Sequence, residues 1–133
     1  KIKFGEYMLP KTASIKDILD AVITGVSVQN KITIPEGLST ISVIHRINND
    51  PRIKGDLISF SEEGVLAPNT YSFDITTKKK DLFLKMRNNQ ERILEAAWDN
   101  RDPDLPLKNA LELLILASIV EKEASKKEDK KKV

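Results

Sequence analysis

Residues 111–125 read LELLILASIVEKEAS, and no other stretch of the chain is both so apolar and so abruptly charged. Eight of the ten residues from Leu111 to Val120 are Leu, Ile, Val or Ala, and Glu121, Lys122 and Glu123 follow without a break. Apolar side chains on every side of a helix predict burial rather than a surface stripe. The start is marked too, because Asn109 can cap the first turn while Glu112 reaches back to complete a capping box. The expectation is a helix buried in the core that delivers two carboxylates at its C-terminal end. A helix C-terminus carries the negative end of the macrodipole, so an acid there is held against the local field. Burial would further favour the protonated form, as a general acid working near neutral pH requires.

The rest of the 133 residues bounds what such a helix can belong to. The length suits one domain, or one small domain and part of another. With 40% hydrophobic and 32% charged residues the composition is globular, and 5% aromatic residues argue against a base-stacking surface. The net charge is +2, but the closing KKEDKKKV holds five lysines, so the body without it is slightly acidic and the basic balance does not point to nucleic acid. The absence of cysteine excludes disulfides, thiol catalysis and Cys-ligated zinc. No run approaches the length of a membrane span. The first residue is Lys and strand-like sequence begins at once, so the chain reads as a fragment of a longer protein whose anchor would lie outside it.

Taken in order, Gly5 to Leu9 reads as a short extended segment stopped by Pro10. Ser14 opens a helix, with Asp17 in its first turn, and Ile15, Ile18, Leu19, Val22 and Ile23 recur at the helical period before Gly25. Val26, Val28, Ile32 and Ile34 alternate with polar residues as in a half-buried strand that ends at Pro35-Glu36-Gly37. A second helix is predicted over 39–48 with Ile41, Ile44 and Ile47 on one face. Residues 54–73 read mostly as loop, because Glu63-Gly64 and Pro68-Asn69 are turn signals. From Asp81 the helical period returns through Leu82, Phe83, Met86, Ile93, Leu94, Ala97 and Trp98, and Pro103-Asp104-Leu105-Pro106 connects it to the final helix. The predicted class is α+β, in two parts: a small strand-helix-strand unit over 1–36 and a mainly helical remainder over 37–133.

Among candidate chemical groups, Glu121 and Glu123 come first. A Glu-Lys-Glu cluster at a helix end is by default a solvated terminus. Both acids continue lines of apolar residues, Glu123 after Leu116, Ile119 and Val120, Glu121 after Leu114, Ala117 and Ser118, so periodicity leaves them level. Two-carboxylate glycosidase chemistry would need a second acid, and Glu62, Glu63 and Asp74 qualify by type alone. The stretch from Glu63 to Tyr71 sets a turn beside the Asn69 amide, the Thr70 hydroxyl and the Tyr71 ring, a mixture suited to carbohydrate and equally to a structural turn. His45 is the single histidine, which excludes a histidine-rich metal site, and its setting on an amphipathic helix reads as surface. The glycines are scattered singly, with no phosphate loop, and the lysine runs lack interleaved aromatics, against nucleic-acid binding.

These residues together resemble a known family. Ala117-Ser118-Ile119-Val120-Glu121-Lys122-Glu123 is similar to the ASIVEKE signature of the bacterial MltG (YceG-like) endolytic murein transglycosylases. Phe4-Gly5-Glu6-Tyr7 resembles the family's K-A-G-x-Y strand, and Ile34-Pro35-Glu36-Gly37 its I-P-E-G turn. Glu63-Gly64, Leu66, Pro68 and Thr70-Tyr71 follow its E-G-x-L-x-P-D-T-Y segment, and Ala97-Trp98 with Leu105-Pro106 fits the approach to the final helix. Ala67 stands where the family has a larger, often aromatic residue, and Asn69 where it has Asp.

The resemblance implies that residues 1–36 form a LysM-like subdomain and that 37–133 begin the transglycosylase catalytic domain. It makes Glu123 the catalytic acid/base, with Glu121, Glu63, Asn69, Thr70 and Tyr71 in supporting places. It implies cleavage of the MurNAc-GlcNAc bond of peptidoglycan glycan strands with formation of 1,6-anhydro ends, and no metal or cofactor. The implied setting is the outer face of the bacterial cytoplasmic membrane, through a single-pass anchor in the parent chain, with cell-wall synthesis proteins as partners. Because the family's catalytic domain extends past Val133, the fragment is expected to be inactive alone. The alternative from a different class is a non-catalytic peptidoglycan-binding or scaffold module whose acids are structural.

Overall fold

The computed structural model describes residues 5–24 and 27–123. Phe4, Gly25 and Val26, to which sequence assigns strand and turn roles, and Ala124, Ser125 and the lysine-rich end lie outside the described residues. The elements are α1 (Ile15–Thr24), β1 (Asn30–Ile34), α2 (Thr40–Asn48), β2 (Asn69–Phe73), α3 (Lys79–Asp99) and α4 (Ala110–Glu123). The class is α+β, as the sequence predicts.

Local chemistry starts the helices where sequence places them. Ser14 and Asp17 form a reciprocal capping box: the Asp17 carboxylate accepts from the Ser14 N–H at 2.8 Å, and the Ser14 hydroxyl accepts from the Asp17 N–H at 3.2 Å. The Ser14 hydroxyl also donates to the Asp17 carboxylate at 2.7 Å, and this bond, with the one from the Ser14 N–H, holds the Asp17 carboxyl below the usual aspartate range. Ser39 caps α2, its hydroxyl accepting from the Ser42 N–H. In α4, Asn109 accepts from the Glu112 N–H at 3.0 Å, but Glu112 reaches one residue further back than a capping box requires, to the Lys108 N–H at 2.7 Å.

β1 and β2 pair antiparallel, with Ile32 opposite Tyr71 and Ile34 opposite Asn69. Alternation along both strands turns Ile32, Ile34, Tyr71 and Phe73 inward. They meet Val43, Ile44 and Ile47 of α2 and Leu82, Phe83 and Met86 of α3, closing one core. β2 falls within the segment predicted as loop, and β1 is shorter than the predicted strand. Residues 5–9, expected to be extended, form no ladder, although the Glu6 carbonyl accepts from the Val28 N–H at 2.7 Å. The division drawn at residue 36 falls directly after β1, whose pairing partner lies beyond it at 69–73.

The connection from α2 to β2 is fastened rather than loose. Asn48 clamps Ile58 from both sides, its amide donating to the Ile58 carbonyl at 2.9 Å and its oxygen accepting the Ile58 N–H at 3.0 Å. Phe60 stands edge-on to Phe83 with ring centres 5.3 Å apart. Ile53, Leu66 and Ala67 are buried beneath it. On α2 the buried face is Thr40, Val43, Ile44 and Ile47, while Ile41, placed by sequence on the inner face, is exposed.

The largest departure is α4. It is a helix, as expected, but no residue of it is buried, and Leu111, Ile115, Leu116 and Ile119 are all exposed. Uniform apolarity predicts that a helix needs cover; it does not supply the neighbour. α4 lies against α3 and against two turns, which touch one strip of its surface.

Candidate active site

α4 meets the two glycine turns that sequence singles out, one at its C-terminal end and one in its first half. At the first, Lys122 donates from Nζ to the Gly37 carbonyl at 2.8 Å across 85 positions of sequence. A Cβ built on Gly37 would lie 3.9 Å from the Glu121 Cγ, so the I-P-E-G turn rests directly on the acid-bearing end of the helix. At the second, a Cβ built on Gly64 would fall 2.9 Å from Leu114 Cδ2. Glycine is favoured at 64 by its φ of +76°, and a side chain there would also have to displace the Leu114 methyl. Leu114 and Glu121 are seven residues apart, so the two turns touch α4 about 10 Å apart along its axis.

Glu63, beside Gly64, carries the link onward. Its Oε2 accepts from the Thr40 N–H at 2.8 Å, at the first position of α2. A carboxylate on an unsatisfied helix N-terminal N–H is well placed for both hydrogen bonding and the macrodipole. The 63–64 turn is thereby fixed to the start of α2, and the 35–37 turn to the end of β1. Three segments far apart in sequence, 34–37, 63–64 and 114–123, are brought to one place.

The remaining candidates sort differently. Glu123 is exposed and Glu121 half-buried, so the burial expected around an acid at this end is not there. Asn69 and Thr70 are exposed at the start of β2. The Asn69 oxygen accepts from the Thr70 N–H at 2.7 Å, and the Thr70 hydroxyl bonds that of Thr33 across the strands at 2.9 Å. Tyr71, a candidate for stacking on sugar, belongs to the core: it is 4% exposed, donates to the Ala67 carbonyl at 2.8 Å and accepts from the Asn89 amide at 3.4 Å. Burial pushes its hydroxyl above the usual tyrosine range. Ala67 is fully buried, so the small residue there packs the core instead of facing a ligand. Asp74 accepts from the Thr76 and Thr77 hydroxyls, which holds its carboxyl below the usual range and commits it to the turn before α3. His45 is exposed and bonded to the Asn49 amide. Lys122 carries no signal in the sequence beyond its place between two acids, and its bond to Gly37 becomes visible only in the fold.

A family model described as the YceG-like family matches residues 1–133, the full length of the sequence. The chain belongs to the YceG-like family. That family is associated with murein transglycosylase function. No curated protein matches the chain. The 34–37 and 63–64 turns that pack on α4 are among the segments whose order in sequence resembles the YceG-like signatures, so three of those scattered motifs meet in the fold.

Proposed function

We propose that the chain carries the acid/base helix of an endolytic peptidoglycan lytic transglycosylase, with Glu123 as the catalytic group. The observation that supports this most is the packing of the 34–37 turn on the end of α4 and of the 63–64 turn on Leu114 of the same helix. A helix held at its charged end by one turn and about two helical turns earlier by a second, close-packed one is a positioned element, and positioning is what a single-carboxyl mechanism needs.

The reaction balances with one carboxyl and no water. In its protonated form Glu123 donates to the glycosidic oxygen leaving the muramic C1, and the C1–O bond breaks. The resulting carboxylate takes the proton of the same sugar's C6 hydroxyl, whose oxygen bonds to C1 and closes the 1,6-anhydro ring. The acid is regenerated in the process. Because the nucleophile is already attached to the sugar, its effective concentration is set by ring geometry, and a second carboxylate is dispensable. Glu121, held over Gly37, and Lys122, bonded to its carbonyl, fix the end of the helix, while Glu63 fixes the second turn. The substrate lies outside the cytoplasmic membrane, which places this region on its outer face, tethered through the parent chain and within reach of the cell-wall synthesis machinery.

Glu121→Gln and Glu123→Gln, each made in the longest form of the protein, test the assignment by mass spectrometry of anhydro-muropeptides. Glu123→Gln is expected to abolish anhydro product while glycan binding is retained, and Glu121→Gln to leave product formation measurable. Unchanged product in Glu123→Gln removes it as the acid/base, and loss confined to Glu121→Gln reassigns the role to Glu121. The second reading, a non-catalytic peptidoglycan-binding module, is favoured by the exposure of Glu123 in this chain, and requires product formation to be indifferent to both substitutions.

A further inference from the structure

A groove of about 690 Å³ runs along the outer side of β2 and the facing side of α3, apart from the α4 contacts. Its polar wall on α3 is Lys85, Asn88, Asn89 and Arg92, positions i, i+3, i+4 and i+7 that form one continuous stripe. The opposite wall is Asn69, Thr70 and Ser72 of β2, and the half-exposed Leu84 gives it an apolar patch. The groove is not remote from the candidate active site. Asn69 pairs with Ile34, three residues before Gly37, on which the end of α4 rests.

The charge inside is unbalanced in a definite sense. Lys85 makes a long 3.5 Å contact with the Ser72 carbonyl, and Arg92 donates at 3.3 Å to the Asn89 side-chain oxygen. Neither cation forms an ion pair among the described residues. Asp81, the carboxylate in the lining, is occupied at the start of α3, where it accepts from the Lys78 N–H at 3.1 Å. Arg92 therefore keeps most of its five donors and Lys85 most of its three. Two cations a little under two helical turns apart, with amides and hydroxyls between them, suit a polar, extended ligand that bears carboxylates.

Resting on the glycan-strand reading above, we propose that this groove binds the carboxylates of the short peptides carried by the muramic sugars, so that the chain distinguishes peptide-bearing strands from bare ones. Sugar hydroxyls alone would not call for two unpaired cations. A carboxylated side branch, leaving a strand whose sugars lie toward the end of α4, reaches the groove at Asn69 and follows the α3 stripe.

The test is titration of the chain with soluble glycan strands carrying their peptides, and with the same strands stripped by an amidase. Peptide-bearing strands are expected to bind about tenfold more tightly, the size of one good charge-assisted contact. The double variant Lys85→Gln/Arg92→Gln should lower binding of peptide-bearing strands to the level of stripped ones without moving the thermal midpoint. Equal affinity of the normal chain for both strand types, or a preference that survives in the double variant, overturns the proposal. So does the absence of binding to either strand, or a loss in the double variant of binding to anionic lipid vesicles in place of strands. Anhydro-product formation with Glu123→Gln is measured separately and uses neither cation, so failure of the groove leaves the acid/base reading standing, and the reverse.

Discussion

Gly64 and Gly37 share a left-handed backbone but differ in what surrounds them, and the difference predicts different costs. Gly37→Ala adds a methyl with 3.9 Å to its nearest atom, so its cost is the conformational one alone, about 1 kcal/mol. Gly64→Ala incurs the same conformational cost and also drives Leu114 away from 2.9 Å. Chemical denaturation should show Gly64→Ala to be the more destabilising. Adding Leu114→Ala should relieve the excess, giving a coupling of about 0.5–3 kcal/mol between the two positions; strict additivity would mean the approach is relaxed at no cost. Tyr71 offers a second measurement. Removing its hydroxyl leaves the buried Ala67 carbonyl without its 2.8 Å donor, a loss of about 1–2 kcal/mol in Tyr71→Phe. The same hydroxyl sets a pH dependence. Its protonated form is favoured in the folded state, so its contribution is complete below the ordinary tyrosine value of 10.0 and is lost as pH rises from there through the higher folded value. Tyr71→Phe should flatten the alkaline decline in stability by that share, and parallel declines in both proteins would contradict it.

The helices differ in how firmly they are held, which follows from where each buries its apolar residues. α2 and the first half of α3 contribute Ile47, Leu82 and Met86, all fully buried, whereas α1 and α4 bury no residue. Hydrogen exchange should therefore find amides around Leu82–Met86 exchanging through global unfolding and those of α4 through local opening, with protection lower by at least about tenfold. Equal protection would show α4 to be part of the same cooperative unit. This contrast also marks how far the sequence could be read. Ser39, Ser14 and Asn109 announced their helices because caps are local chemistry, complete within a turn. β2 was hidden because Asn-Thr-Tyr-Ser-Phe follows a Pro-Asn turn signal and becomes a strand only by pairing with residues 30–34, which no local window contains. The apolarity of α4 stated a requirement for cover without stating where cover comes from. Among the site residues, the meeting of Glu121 and Lys122 with Gly37 and of Glu63 with Thr40 depends on contacts between distant segments. The motifs were legible one by one, and their contiguity was not.

Across the whole molecule, stability is concentrated in the unit built by β1, α2, β2 and the first half of α3, and the candidate catalytic element is attached to its edge. That arrangement separates the residues that hold the fold from those proposed to perform chemistry. Phe73→Ala and Leu82→Ala remove fully buried side chains and should each cost about 3–5 kcal/mol, a large part of what a domain of this size possesses. Leu116→Ala, at a position 42% exposed, removes a side chain still largely in contact with water and should cost under about 1 kcal/mol. The two kinds of variant should diverge in a second way. Leu82→Ala lowers the denaturation midpoint and with it every property of the chain, including any strand binding. Leu116→Ala should leave the midpoint almost unmoved and change only how α4 presents its charged end. Guanidinium denaturation followed by tryptophan fluorescence is a poor probe for this, because Trp98 lies beyond the buried half of α3, so far-ultraviolet circular dichroism is the measurement to use. A loss of several kcal/mol in Leu116→Ala would place α4 inside the cooperative core and remove the separation on which the reading of a supported, solvent-facing acid depends.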